Sequence, residues 1–154
     1  MDFSLSELGL ELPDGAHALR TGIRLLVAVI LGSLIGINRE WKGQQAGLRT
    51  HVLVALGAAL FTIVPLEDGA GGSGLAEIAK GISAGIGFLG AGTILKLTDQ
   101  QEVKGLTTAA GIWLTAAAGF AAGTGWIWPA VTAIALGLIA LICFRRIEIW
   151  MGSK

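Results

Sequence analysis

The chain has 154 residues, of which 53% are hydrophobic and 14% charged, and its 11 basic and 11 acidic side chains cancel to a net charge of zero. A mean hydropathy of +0.72 excludes an ordinary soluble domain, because too little polar surface is left to solvate even a compact all-helical fold. No nucleic-acid partner is expected; the solvent this composition fits is lipid.

Met1–His17 lacks the basic start of a cleavable signal and opens with acidic residues. Phe3, Leu5, Leu8 and Leu12 alternate there with carboxylates ahead of Pro13, so residues 1–17 are expected to form an external tail or a short interfacial helix. Five apolar stretches follow: Ala18–Ile37, Leu48–Leu66, Ile78–Leu97, Leu106–Ala122 and Trp126–Phe144. Each is close to the ~17 to 25 residues a helix needs to cross ~30 Å of hydrocarbon. The expected fold is therefore an all-α integral membrane protein, with a five-helix domain over residues 18–145 and a short tail over 146–154.

Basic residues concentrate on alternate connections: Arg39, Lys42 and Arg49, then Lys96 and Lys104, then Arg145, Arg146 and Lys154. The other connections carry Glu67, Asp68 and Glu77 or no charge at all. Basic loops resist translocation, which predicts an external N-terminus and a cytoplasmic C-terminus, consistent with an odd number of crossings.

The first stretch places Arg20 and Arg24 on one face. Arg20 can snorkel to headgroups, whereas Arg24 lies one turn deeper and requires a partner in the bundle or an anionic ligand. In the third stretch Gly85, Gly87 and Gly90 spell GxGxxG without the strand and acidic residue of a dinucleotide site, so helix packing or bending is the better reading. Gly81, Ser83 and Gly85 spell GxSxG, but both histidines, His17 and His51, precede it, against the order of a nucleophile elbow. The lone Cys143 excludes an intramolecular disulfide and reads as a packing residue. No metal-ligand cluster is present, no crossing carries a central carboxylate, and no cofactor is expected; magnesium remains possible as ligand or substrate, its ligands unknown. Segment four, rich in Ala and Gly, is expected at the centre. Segment five, with Leu136, Leu138, Ile139, Leu141, Ile142 and Phe144, is expected to face lipid, its ends marked by Trp126, Trp128 and Trp150.

Two connections end alike: Gly47-Leu48-Arg49-Thr50 opens segment two and Gly105-Leu106-Thr107-Thr108 opens segment four. That echo predicts a helical hairpin duplicated in the same orientation, plus one helix. A site between the tags would gather Arg49, Thr50, His51, Thr107 and Thr108, with two helix N-termini favouring an anion or a carboxylate such as Glu40. Arg39, Glu40 and Arg49 could equally be an internal clamp.

Gly36-Ile37-Asn38-Arg39-Glu40-Trp41, Ala46-Gly47-Leu48-Arg49-Thr50-His51, Gly85-Ile86-Gly87-Phe88-Leu89-Gly90-Ala91-Gly92 and Val103-Lys104-Gly105-Leu106-Thr107-Thr108-Ala109-Ala110 together resemble the MgtC/SapB family of bacterial inner-membrane proteins. The resemblance spans about Leu19 to Gly123. It implies a five-helix inner-membrane protein linked to growth in low magnesium and, in some pathogens, to survival in macrophages. It also implies charged positions at Arg24, Arg39, Glu40 and Arg49, and polar and glycine motifs at Thr50, His51, Thr107 and Thr108 and at Gly85, Gly87, Gly90, Gly92 and Gly105; Asn38 joins the polar residues as a further candidate, and the glycines are expected to pack helices.

Many relatives continue into a soluble C-terminal domain, where this sequence has only Arg145–Lys154; Gly74–Lys80 also differs from the pattern of longer members. The resulting expectation is a non-enzymatic regulator that docks on another inner-membrane protein or its own copy through segments three and four. The alternative is a transporter or channel for magnesium or another ion.

Overall fold

A computed structural model of the chain describes residues 14–69, 71–97, 102–144 and 151–152. Its elements are α1 (Gly15–Trp41), α2 (Leu48–Glu67), α3 (Gly72–Gly92), β1 (Leu95–Leu97), β2 (Glu102–Lys104), α4 (Leu106–Thr124) and α5 (Ile127–Ile139), the last continuing as a π-helical turn over Ala140–Phe144. The proposed interfacial stretch up to Pro13, most of the C-terminal tail and Trp150 lie outside the described residues.

Among the described residues four segments are long and apolar enough to cross a membrane: α1, α2, α4 and Ile127–Phe144. Helix α3 has the length, 21 residues, but Ser73, Glu77, Lys80, Ser83 and its glycines dilute its apolar content. It also sits earlier in the sequence than expected. The helix opens at Gly72 rather than Ile78 and stops at Gly92, where the Thr93 hydroxyl turns back to donate to Gly90 O at 2.8 Å. Leu95–Leu97 then leave the helix altogether and pair antiparallel with Glu102–Lys104, Lys96 opposite Val103. A short apolar run reads as helix or strand with equal ease, and here the strand reading holds. Gly105, at φ +98°, closes this hairpin onto α4 in the left-handed region, and a side chain there would collide with the Thr93 carbonyl.

Helix α4 packs against each of the other four helices, the central position its small residues predict. Leu31 and Ile35 of α1 meet Ala118 of α4 and Ala130 and Ile134 of α5 on one side. Ile86 of α3 meets Ile112 and Ala116 of α4 on another. On a third, Ala28, Ala55, Ala59 and Ala122 bring α1, α2 and α4 together.

That third contact rests on two glycine pairs at i, i+4 spacing. Built Cβ atoms on Gly32 and Gly36 of α1 would lie 2.7 Å from His51 O and Leu48 Cα, and one on Gly123 of α4 would lie 2.7 Å from Ala59 O. Gly119 faces the Ala55 carbonyl more closely still. In lipid, helices gain little from excluding water, so such backbone proximity supplies much of the van der Waals cohesion. The two pairs grip α2 from both sides.

The glycines expected to pack do so unevenly. A Cβ built on Gly90 would lie 3.5 Å from Ala109 Cβ, whereas nothing lies within 4 Å of one built on Gly85, Gly87 or Gly92. Gly85 opens onto the groove that α3 leaves towards α2, whereas Gly87, two residues on, points to the opposite side of the helix. Cys143 is exposed rather than packed, since the π-helical turn carries it on the outer side of the bundle. Leu136, Ile139, Ile142 and Phe144 face outward as expected, while Leu138 and Leu141 pack inward.

Candidate functional site at the basic end of the bundle

Helix directions alternate, so one end of the bundle collects the end of α1, the starts of α2 and α4, and the end of α5. Arg39, Lys42, Arg49 and Lys104 are all at this end. Arg24 is not. Its Nη1 donates to Gly123 O at 3.2 Å, placing the cation on the carbonyl end of α4, where the helix dipole favours positive charge. Roughly 22 Å of helix separates it from Arg39, so the sequence-derived polar set divides into two sites.

Arg39 is 4% exposed. Its Nη2 donates to Thr108 Oγ1 at 2.7 Å and to Gln44 Oε1 at 2.9 Å, joining the end of α1, the 42–47 connection and the first turn of α4. Gln44 in turn donates from Nε2 to Lys42 O at 3.2 Å, which folds the connection back on itself. Sequence reasoning passed over Gln44; a side-chain amide between two basic residues was the available signal.

Glu40 takes a different direction. Its Oε2 accepts the Leu48 N–H at 2.9 Å. Helix α2 starts after Gly47, which has no side chain to cap the orphaned amides, and the carboxylate eight positions upstream serves them instead. A Cβ on Gly47 would meet that carboxylate and push the exposed Glu40 side chain off the Leu48 amide. Arg49 is exposed and Thr50 half-buried, while Asn38 keeps a buried Oδ1 with no hydrogen-bond partner among the described residues.

His51 is fully buried between α2 and α4. Its Nδ1 lies 2.8 Å from Thr115 Oγ1, and that hydroxyl donates to Gly111 O at 2.8 Å. One hydroxyl hydrogen cannot serve both at once, so the direction of the His51–Thr115 bond is set by the tautomer of the ring. Nε2 is buried without a partner among the described residues. Thr115 was also overlooked; a single hydroxyl amid Ala and Gly near mid-helix was its only mark.

Thr107 stands one residue from Thr108 but on another face, lining an open cavity of about 550 Å³ between α1, α4 and α5. Thus Arg39, Thr107 and Thr108 come together, His51 joins them through the core of α4, and Glu40, Arg49 and Thr50 lie around α2. Ser83 is exposed on α3, whereas His51 is committed to Thr115. Among the described residues no three His, Cys, Asp or Glu side chains gather as a metal site.

Family comparison settles what kind of chain this is: the MgtC family model matches residues 25–150. The chain belongs to the MgtC family. It is 40% identical over 148 residues to Protein SrpB of Synechococcus elongatus, covering 89% of this chain and 81% of that protein. It is 39% identical over 139 residues to the Escherichia coli K12 protein named "Putative magnesium transporter YhiD", covering 86% of this chain and 64% of that one. To Protein MgtC of Salmonella typhimurium it is 42% identical over 124 residues, 80% of this chain and 52% of that protein. It therefore spans between about half and four-fifths of the length of these relatives. No solved structure matches the chain. The two glycine pairs, the Arg39–Thr108 bridge and the Glu40 cap all fall within the matched region of this MgtC-family protein, a multi-pass bacterial membrane protein.

Proposed function

We propose that this MgtC-family chain is a non-enzymatic regulator in the bacterial inner membrane, acting on another membrane protein during adaptation to low magnesium. The observation that carries the reading is a mismatch in α3. Of the five helices it alone falls short of the apolar content of a free-standing crossing, yet only Ile86 and Gly90 along its 21 residues are buried by the rest of the bundle. A helix that is both relatively polar and sparsely covered is suited to a neighbour outside its own chain. The open apolar groove beside it, lined on the α2 side by Leu53, Gly57 and Phe61, offers glycine backbone to an incoming transmembrane helix of that protein.

The same helix supports a fifth crossing. Ala79 and Phe120 line one small cavity near one end, while Gly90 meets Ala109 near the other, so α3 runs alongside most of α4. With the basic end placed in the cytoplasm, the N-terminus is external and the C-terminus internal.

The E. coli relative's name points to transport. Against a path through this chain stands its interior: the buried polar side chains are Arg39, His51, Thr62, Thr108 and Thr115, with no carboxylate among the described residues. A divalent cation crossing there would meet little to replace its water.

Photo-crosslinking from a residue placed at Gly85 in native membranes, under magnesium limitation, tests the reading. An adduct to a different membrane protein, lost together with low-magnesium growth in Gly81→Leu at unchanged abundance, is the expected result. Adducts only to a second copy, or growth indifferent to Gly81→Leu, would overturn it.

A further inference from the structure

The cavity of about 550 Å³ at the basic end is divided chemically into two halves. Arg39, Lys42, Gln44 and Thr107 form one wall. Leu114 of α4 and Leu141 and Phe144 at the end of α5 form the other, among small residues that leave the space open. Both cations are positioned before any ligand arrives. Gln44 and Thr108 hold the Arg39 guanidinium, and Lys42 Nζ reaches over to Leu141 O, 3.1 Å away in the π-helical turn. Such prior ordering lowers the cost of binding.

Charge and shape point to one kind of ligand. A guanidinium fork beside an ammonium suits a phosphate, and the Thr107 hydroxyl adds a neutral donor on the same wall. Helix α4 contributes in the same sense, because it starts after Gly105 with no side chain capping its first amides. The apolar wall has no purpose for a free inorganic anion. It continues into the outward face of α5, where Phe144 is 60% exposed, so a hydrocarbon tail could pass from the cavity into the bilayer. Basic pockets between membrane helices hold anionic headgroups by this combination of charge and depth.

We propose that this cavity is a phospholipid site, in which Arg39, Lys42 and Thr107 hold the phosphate of an anionic lipid while Leu114, Leu141 and Phe144 line its acyl chains. The site is independent of whichever protein meets α3, and lies on a different side of α4. Its volume falls within the ~300 to 1,000 Å³ usual for small-molecule sites, enough for a headgroup and the first carbons of each chain.

Native mass spectrometry of the full chain in detergent, titrated with phosphatidylglycerol, phosphatidylcholine or inorganic phosphate, tests this. One phosphatidylglycerol should be retained in preference to phosphatidylcholine. Retention should fall about fivefold in Lys42→Gln, the worth of one basic residue beside an anionic surface, and vanish in Ala110→Phe, which fills the cavity from an exposed position of α4. Far-UV circular dichroism keeps a folding failure distinct from a lost site. Equal retention of both lipids, or retention unchanged in both variants, would overturn the proposal. Inorganic phosphate that stabilises the lipid-free chain against heat as fully as phosphatidylglycerol does would also overturn it, in favour of a soluble anion.

Discussion

Arg39 and Thr108, 69 residues apart, meet through a buried 2.7 Å hydrogen bond from guanidinium to hydroxyl. It ties the end of α1 to the start of α4 at the point where the 42–47 connection also anchors. Removing the hydroxyl leaves a charged donor short of an acceptor in a poorly solvated place. Thr108→Val should therefore cost about 1.5 to 3 kcal/mol, seen as a lowered unfolding midpoint in detergent, and Thr108→Ser should restore most of it. Equal loss in both variants would mean that the methyl, not the hydroxyl, matters.

Glycines in this bundle should divide sharply. A Cβ at position 119 runs into the Ala55 carbonyl, whereas one at position 87 meets nothing within 4 Å. Gly119→Ala should destabilise by about 1 to 3 kcal/mol through forced separation of α2 and α4. Gly87→Ala should be neutral or gain up to about 1 kcal/mol in helix propensity. The same detergent unfolding series measures both.

Glu40 acts on α2 from outside that helix. With its carboxylate on the Leu48 N–H, Glu40→Ala should fray the first turn of α2 at a cost of about 1 kcal/mol. Hydrogen exchange at the amides of Leu48 and Arg49 should rise, while amides near Ala59 stay protected. Glu40→Gln, which keeps an oxygen acceptor, should give an intermediate rate.

Much of the fold was legible because lipid imposes a simple rule: apolar stretches of crossing length become helices, and charges gather between them. α1, α2 and α4 fall close to their expected bounds, and the tags at Gly47 and Gly105 both open helices. α3 was misplaced because its glycines blur the edge of the apolar run, and because a three-residue strand carries no period long enough to recognise. The packing glycines were visible in principle. Gly32 with Gly36, and Gly119 with Gly123, each spell GxxxG in an apolar helix, a stronger signal for close approach than the open GxGxxG of α3. Gln44, five residues past Arg39, left a local signal in its side-chain amide, whereas Thr115 was not legible, since its partner His51 stands 64 residues away on α2 and only the fold brings them together.

Sidedness follows from charge and is directly measurable. In a Cys143→Ser background, cysteines replacing Lys42 and Asp68 should label from opposite faces of intact cells, Asp68 from outside and Lys42 only after permeabilisation. Labelling of both from one side would remove the antiparallel α1–α2 crossing.

Magnesium uptake by liposomes carrying the purified chain bears most directly on whether it regulates or transports. The interior packing of α1, α2 and α4 predicts flux no greater than that of empty vesicles. Uptake well above that baseline, abolished by Glu40→Ala or Arg24→Ala, would contradict a regulator and establish a transporter.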